Sequence, residues 1–134
     1  MKYIICLIFA SFALYGQTLS FDFTYDDVGR IEQNSTIVGQ EISLSSIIKP
    51  VHTATLPGNL YRPISELSFR LNYVIFGASP ASFHAINILL HTLCVVLVFY
   101  LCRPFCKEEL YSFLIAFLFC IHPINVEAVS NICG

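Results

Sequence analysis

Residues 83–101, FHAINILLHTLCVVLVFYL, contain no Asp, Glu, Lys or Arg. As an α-helix rising about 1.5 Å per residue, this stretch is roughly 28 Å long, close to the thickness of the hydrocarbon core of a bilayer. His84, Asn87, His91 and Cys94 recur at helical spacing and share one face. Because polar side chains in a membrane span normally face other helices, this face predicts a packed, hydrogen-bonded helix bundle. A metal site at His84 and His91 is the alternative, but two helical turns are a long separation for two direct ligands.

The composition of the whole chain is typical of a membrane protein. Hydrophobic residues make up 56% of the sequence and charged residues 12%, against roughly 25% charged residues in ordinary soluble domains. The net charge is -2 and no cluster of Lys and Arg occurs. These features argue against nucleic acid as a partner and favour membrane lipid as the surroundings.

The cysteines do not have the spacing of a secreted disulfide framework. Cys6, Cys94 and Cys120 lie inside apolar segments, where we expect small apolar core residues. Cys102 and Cys106 flank a basic turn, but no second pair of ligands completes a metal site there.

Two further apolar segments are predicted to cross the membrane. Residues 1–20 form a first transmembrane helix or signal anchor, although Lys2 and the small residues that follow the apolar run also fit a cleaved signal peptide. Residues 110–126 form a third span, and residues 102–109 a short charged turn before it. The sequence therefore predicts an all-α membrane protein with about three transmembrane helices.

The loop between the first two spans, residues 21–82, carries most of the acidic side chains. Tyr25-Asp26-Asp27 lies only a few residues beyond the first apolar segment, and Asn34 begins an N-glycosylation sequon that is usable if the loop faces a lumen. Residues 62–77 predict an amphipathic helix along the membrane interface. Its apolar stripe comprises Ile64, Leu67, Leu71, Val74 and Ile75.

The basic residues predict the orientation of the chain in the membrane. Lys2 and Arg103 should lie on the cytoplasmic side by the positive-inside rule. Residues 21–82 then lie on the opposite side of the membrane. The far end of the third span, with His122, and the segment 127–134 lie on that side too. The acidic loop and the second acidic segment are therefore expected in one compartment.

The side chains expected in that compartment suit acid–base chemistry on a phosphorylated substrate. Asp26, Asp27 and Glu127 lie beside apolar surface, and a carboxylate there can act as a base for a hydroxyl nucleophile. Arg62 and Arg70 can bind a phosphate bidentately. The structural alternative is that the aspartates cap the start of a helix and Arg62 pairs with one of them.

Several blocks of the chain together resemble a known family, the transmembrane and tetratricopeptide-repeat-containing proteins. These are O-mannosyltransferases of the endoplasmic reticulum with a GT-C type membrane domain, and the resemblance is to their N-terminus. The blocks, which follow the family's order, are Tyr25-Asp26-Asp27, YRPIS at 61–65, LSFRLNY at 67–73, FHAINILLH at 83–91 and HPINVEAV at 122–129.

The resemblance implies transfer of mannose from dolichyl phosphate mannose to Ser or Thr of luminal acceptor proteins. It implies that Asp26 or Asp27 is the catalytic base or acceptor-binding group and that Glu127 binds acceptor or assists. Arg62, with Arg70 and His122 as further candidates, is assigned to substrate binding. No divalent-metal requirement follows from the sequence.

The chain departs from the family pattern in two respects. Asn125 stands where many relatives carry a second His. The family would continue after the position of Gly134 with more spans and helical repeats. We therefore expect this chain to be a fragment or a truncated gene model, and to be inactive alone. The alternatives are a non-catalytic membrane module, such as a transporter or assembly subunit whose carboxylates bind an ion or partner, and a degenerate gene product.

Overall fold

The computed structural model describes residues 1–24, 27–32, 35–38 and 63–133. All regular secondary structure in these ranges is helical, which confirms the predicted all-α class. The chain divides into two compact units, Met1–Phe21 with His84–Ile132, and Asp22–Phe83 with Cys133. Each unit is described by itself. Asp26, Asn34 and Arg62, which the sequence singled out, lie outside the described residues.

The first unit contains the long apolar helices. Helix α1 (Lys2–Tyr15) continues as a 3-10 turn, and the stretch Lys2–Ser20 is long and apolar enough to cross a membrane. So is Pro80–Phe105, which consists of a long α-helix, named α4 here, over Pro80–Cys102 and a short 3-10 turn. The first four residues of α4 belong to the second unit.

The third apolar segment differs from the predicted span over 110–126. Helix α5 covers Glu109–Ile121, 13 residues, which at about 1.5 Å per residue is roughly 20 Å. It ends because Pro123 disfavours helical backbone at the residue before it, and His122 is extended with φ -68° and ψ 129°. A separate short helix, α6, follows at Asn125–Ser130.

Helices α1 and α5 pack closely because small side chains meet between them. Leu7 and Ser11 of α1 and Ala116 and Cys120 of α5 are all fully buried. Ser11 Oγ donates to the Leu7 carbonyl at 3.0 Å and lies 3.4 Å from Cys120 Sγ. Side chains this small let two helix backbones approach, as in membrane helix pairs.

The prediction that three cysteines are core residues is correct only for Cys120. Cys6 and Cys94 are exposed, because each lies on a face of its helix that no other described residue covers. An all-apolar helix has no polar face to show which side is buried, so composition alone could not distinguish these positions.

The second unit is built around helix α3 (Pro63–Phe76), against which the short helix α2 (Ser35–Val38) packs. Helix α3 occupies most of the predicted amphipathic segment 62–77. It ends at Gly77, whose φ of 72° is the left-handed conformation that favours glycine. The Gly77 N–H donates to the Tyr73 carbonyl at 2.8 Å, a common way to close a helix.

Candidate functional site

Two hydrogen bonds join Asp27, the last residue of the acidic motif, to Thr24. The Asp27 N–H donates to the Thr24 carbonyl at 2.9 Å, and the Thr24 N–H donates to Asp27 Oδ2 at 3.3 Å. The π-helical turn Val28–Glu32 follows directly. Such reciprocal bonding resembles a capping box, in which a carboxyl group satisfies a backbone donor that the helix start leaves free.

The second oxygen of Asp27 is bound from a distant part of the sequence. The Cys133 N–H donates to Asp27 Oδ1 at 2.9 Å. The Asp27 side chain is only 2% exposed, and a buried carboxylate is stable only when it accepts hydrogen bonds. Asp27 is therefore an acceptor that fixes the backbone at Thr24 and Cys133.

Arg70 lies inside the second unit rather than on its surface. Its side chain is 3% exposed, and it takes part in interactions within the chain. A guanidinium with so little exposure does not present its fork to a phosphate from outside. The geometry therefore favours a structural role for Arg70 over the predicted contact with substrate.

Two other polar residues of this unit are partly or fully withdrawn from water. Burial raises the pKa of Glu66, and the nearby positive charge of Arg30 partly offsets this rise. The Asn72 side chain is also buried, and neither its Oδ1 nor its Nδ2 has a hydrogen-bond partner within the part of the chain that the structure describes. The polar side of α3 thus faces the inside of its unit.

Aromatic packing holds the start of α4 within the second unit. Phe83, which is buried, packs with Phe23 at a ring-centroid distance of 5.7 Å and with Phe69 at 6.1 Å. The segment before the acidic motif and helix α3 are therefore both anchored on Phe83. No motif or spacing in the sequence distinguishes these three rings from the other aromatic residues.

The segment that follows α5 contains the other predicted site residues that the structure describes. Glu127 lies in the first turn of α6 and is exposed. His122 is exposed too, and its Nδ1 accepts the Ile124 N–H at 3.2 Å. Asn125 Nδ2 donates to the Phe119 carbonyl at 2.6 Å. This carbonyl near the end of α5 also accepts the His122 N–H at 3.3 Å. Asn125 therefore has a structural role at the end of α5.

The polar face predicted on α4 is confirmed for three of its four members. Asn87 Nδ2 donates to the carbonyls of Asn131 at 2.9 Å and Ile132 at 3.4 Å, which fixes the turn after α6. His84 is buried with its ring edge-on to Phe21. The ring of His91 is buried as well and has aromatic neighbours of its own, Tyr15 at 5.0 Å and Phe119 at 5.9 Å.

No group of three or more potential metal ligands occurs among the residues that the structure describes. The described site residues fall into two sets. Asp27 and Arg70 belong to the second unit, whereas Glu127 and His122 belong to the first. Sequence reasoning missed Thr24 and Cys133 because both bind Asp27 through backbone N–H groups, which carry no residue-type signal.

Comparison with known proteins identifies relatives for most of the chain. No family model matches it, and no solved structure matches significantly. Protein O-mannosyl-transferase TMTC2 of Mus musculus is 35% identical over 126 residues, which are 91% of this chain and 15% of the relative.

Two further relatives extend the match to other members. Protein O-mannosyl-transferase TMTC1 of Homo sapiens is 34% identical over 131 residues, 93% of this chain and 15% of its own length. Protein O-mannosyl-transferase Tmtc1 of Drosophila melanogaster is 32% identical over 130 residues, 92% of this chain and 15% of its own length. The chain thus spans about 15% of the length of the relatives that it matches. Over nine-tenths of its own residues, the chain is similar to members of the TMTC family, which are named protein O-mannosyl-transferases.

Proposed function

We propose that the chain is part of a membrane enzyme that transfers mannose to proteins. The donor is dolichyl phosphate mannose, the acceptors are Ser and Thr hydroxyls of luminal proteins, and the enzyme lies in the endoplasmic reticulum membrane as a multi-pass protein with a GT-C type domain. Similarity to proteins named protein O-mannosyl-transferases supports the mannosyl transfer. The structural observation that carries the proposal is the buried Asp27 carboxylate, held by two backbone N–H groups beside Asp26.

The two adjacent aspartates have different roles in this proposal. Both oxygens of Asp27 already accept backbone hydrogen bonds, and the side chain is buried. Asp27 is therefore the positioning residue. Asp26 is the base: it accepts the proton of the acceptor hydroxyl as that oxygen bonds to the anomeric carbon of mannose and dolichyl phosphate leaves.

The remaining candidates contact substrate. Arg62 binds the donor phosphate, because Arg70 is withdrawn into its unit. Glu127 and His122 are exposed near the start of α6, where they can hydrogen-bond to an acceptor segment. This arrangement requires the loop 21–82 and the segment 127–134 to face the same compartment, as the positive-inside rule predicts. By itself, the 134-residue chain is proposed to be inactive.

A mannosyl-transfer assay on the intact membrane protein tests this function. Asp26→Asn should reduce transfer by about 100-fold or more, the usual effect of losing a general base. Asp22→Asn is the matched control, since Asp22 is an exposed carboxylate a few residues away in the same unit, and it should leave transfer unchanged. Full activity in Asp26→Asn would refute the assigned base.

A further inference from the structure

Two free cysteines lie where the second long apolar stretch ends. Cys102 is the last residue of α4, and Cys106 directly follows the 3-10 turn Arg103–Phe105. The Cys106 N–H donates to the Cys102 carbonyl at 3.2 Å, so the two residues are one helical turn apart. Both side chains are partly exposed, and neither forms a disulfide. Two accessible thiols therefore lie within one turn of the chain.

The side chains around this pair are those expected at a membrane boundary. Phe105 is 88% exposed and Leu101 68% exposed, and the basic residues Arg103 and Lys107 are exposed as well. The stretch Pro80–Phe105 is long and apolar enough to cross a membrane. Aromatic and basic side chains collect where a span leaves the hydrocarbon core, and the basic ones favour the cytoplasmic side. Both thiols are therefore expected at the cytoplasmic surface of the bilayer.

The other four cysteines lack this combination of exposure and position. Cys6 and Cys94 are exposed but lie within apolar helices, and Cys120 and Cys133 are buried. Cys94, for example, precedes Cys102 by two turns of α4, which places it roughly 12 Å further along the helix into the apolar stretch. A water-soluble reagent reaches a thiol at the end of a span more readily than one inside it.

We propose that Cys102 and Cys106 are S-acylated, each by a long-chain fatty acyl group in thioester linkage. Cysteines next to a membrane span are typical acceptors of such groups. The cysteine thiolate attacks the carbonyl carbon of a fatty acyl-coenzyme A thioester. The new carbon–sulfur bond forms as the bond to the coenzyme A sulfur breaks, and coenzyme A takes up the proton that the cysteine lost. The proposal requires a cytoplasmic turn but does not depend on the assigned mannosyl transfer.

The surface of α4 offers the attached acyl chain an apolar track. Four exposed leucines recur at helical spacing and form a stripe that ends beside Cys102: Leu90, Leu93, Leu97 and Leu101. From its first to its last member, this stripe is about 17 Å long, comparable to an extended long-chain acyl group. An acyl chain lying on it would hold the turn between α4 and α5 at the membrane.

Metabolic labelling tests this modification. The epitope-tagged 134-residue chain is expressed in eukaryotic cells supplied with an alkyne-bearing analogue of palmitic acid. The label per amount of protein in the membrane fraction is measured with and without neutral hydroxylamine, which cleaves thioesters and leaves amides intact. The variant Cys102→Ser with Cys106→Ser removes both proposed acceptors. The variant Cys6→Ser with Cys94→Ser removes the two most exposed thiols and is the matched control.

The parent and the control should carry equal, hydroxylamine-sensitive label, and the variant without Cys102 and Cys106 should lose nearly all of it. Mass spectrometry of the parent's tryptic peptide 71–107, which contains three of the cysteines, needs no variant and should place the acyl groups at Cys102 and Cys106. The proposal is overturned if the parent carries no label, if label persists without these two thiols or resists hydroxylamine, or if the acyl group is on Cys94.

Discussion

Asp27 and Cys133 are 106 residues apart in sequence, yet the Cys133 N–H donates a 2.9 Å hydrogen bond to Asp27 Oδ1. Together with the Thr24 N–H on Oδ2, this bond makes the Asp27 carboxylate a clamp on two backbone segments. Without the carboxylate, both N–H groups would lose this acceptor. The conformation at Asp27 therefore depends on a turn close to the other end of the sequence.

Removing this clamp should destabilise the protein. Asp27→Ala leaves the N–H groups of Thr24 and Cys133 without the carboxylate. The bond from Cys133 is buried, and loss of a buried bond costs about 1–3 kcal/mol, whereas Thr24 is exposed and its N–H can bond to water. The free energy of unfolding in detergent, measured by circular dichroism during denaturant titration, should fall by roughly 1–3 kcal/mol. Asp22→Ala serves as the control and should change little. An Asp27→Ala variant as stable as the parent would show that the clamp is not needed.

Another residue with a side-chain N–H donor should be able to replace Asn125. Asn125→Ala removes the bond to the Phe119 carbonyl and should lower the free energy of unfolding by about 1 kcal/mol, the usual contribution of one hydrogen bond. Asn125→His, which restores a ring N–H donor, should recover part of this loss. Asn131→Ala is a suitable control, because only the backbone of Asn131 is used in the described contacts. Equal stability of the Ala and parent proteins would contradict the capping role.

Glu66 should make stability depend on pH in the acidic range. Its pKa is raised in the folded state above the ordinary 4.5, mainly by burial. The folded state therefore binds the proton more tightly than the unfolded state does, and stability should fall as pH rises from the unfolded pKa through the folded one. Thermal unfolding between about pH 4 and about pH 7 measures this slope.

Two substitutions separate the Glu66 contribution from that of other carboxylates. Glu66→Gln should flatten the slope, because the side chain no longer titrates. Arg30→Gln should extend the slope to higher pH, because the positive charge that offsets burial is gone. An unchanged pH profile in Glu66→Gln would assign the dependence to another group.

Close packing of α1 against α5 should tolerate no added volume. Ala116 is fully buried between these helices, and Ala116→Leu should cost about 1–3 kcal/mol through overpacking. Ile115→Leu, at the exposed neighbouring position, changes shape without entering the interface and is the matched control. Denaturant titration in detergent checks both. Similar unfolding midpoints for the two variants would argue against a tight α1–α5 contact.

Periodicity and composition were enough to predict the features that depend on local pattern. The apolar runs, the stripe of α3 and the inward position of His84, Asn87 and His91 follow from helical spacing and the low charge content. The predicted third span ended too late in the sequence, since α5 stops at Ile121. Pro123 signals this stop, but the apolar composition continues beyond His122. The clamp on Asp27 could not be predicted, since it depends on a backbone donor brought close only by the fold.

Mannosyl transfer as proposed requires Asp26 and Glu127 to face one compartment, and the sidedness of the two segments measures this most directly. A short epitope is inserted after Glu32, after Lys107 or after Ser130 of the protein in sealed microsomes, and its protection from added protease is recorded. The tags after Glu32 and Ser130 should both be protected, and the tag after Lys107 should be digested. Protection of only one of the two acidic segments would contradict the proposed site.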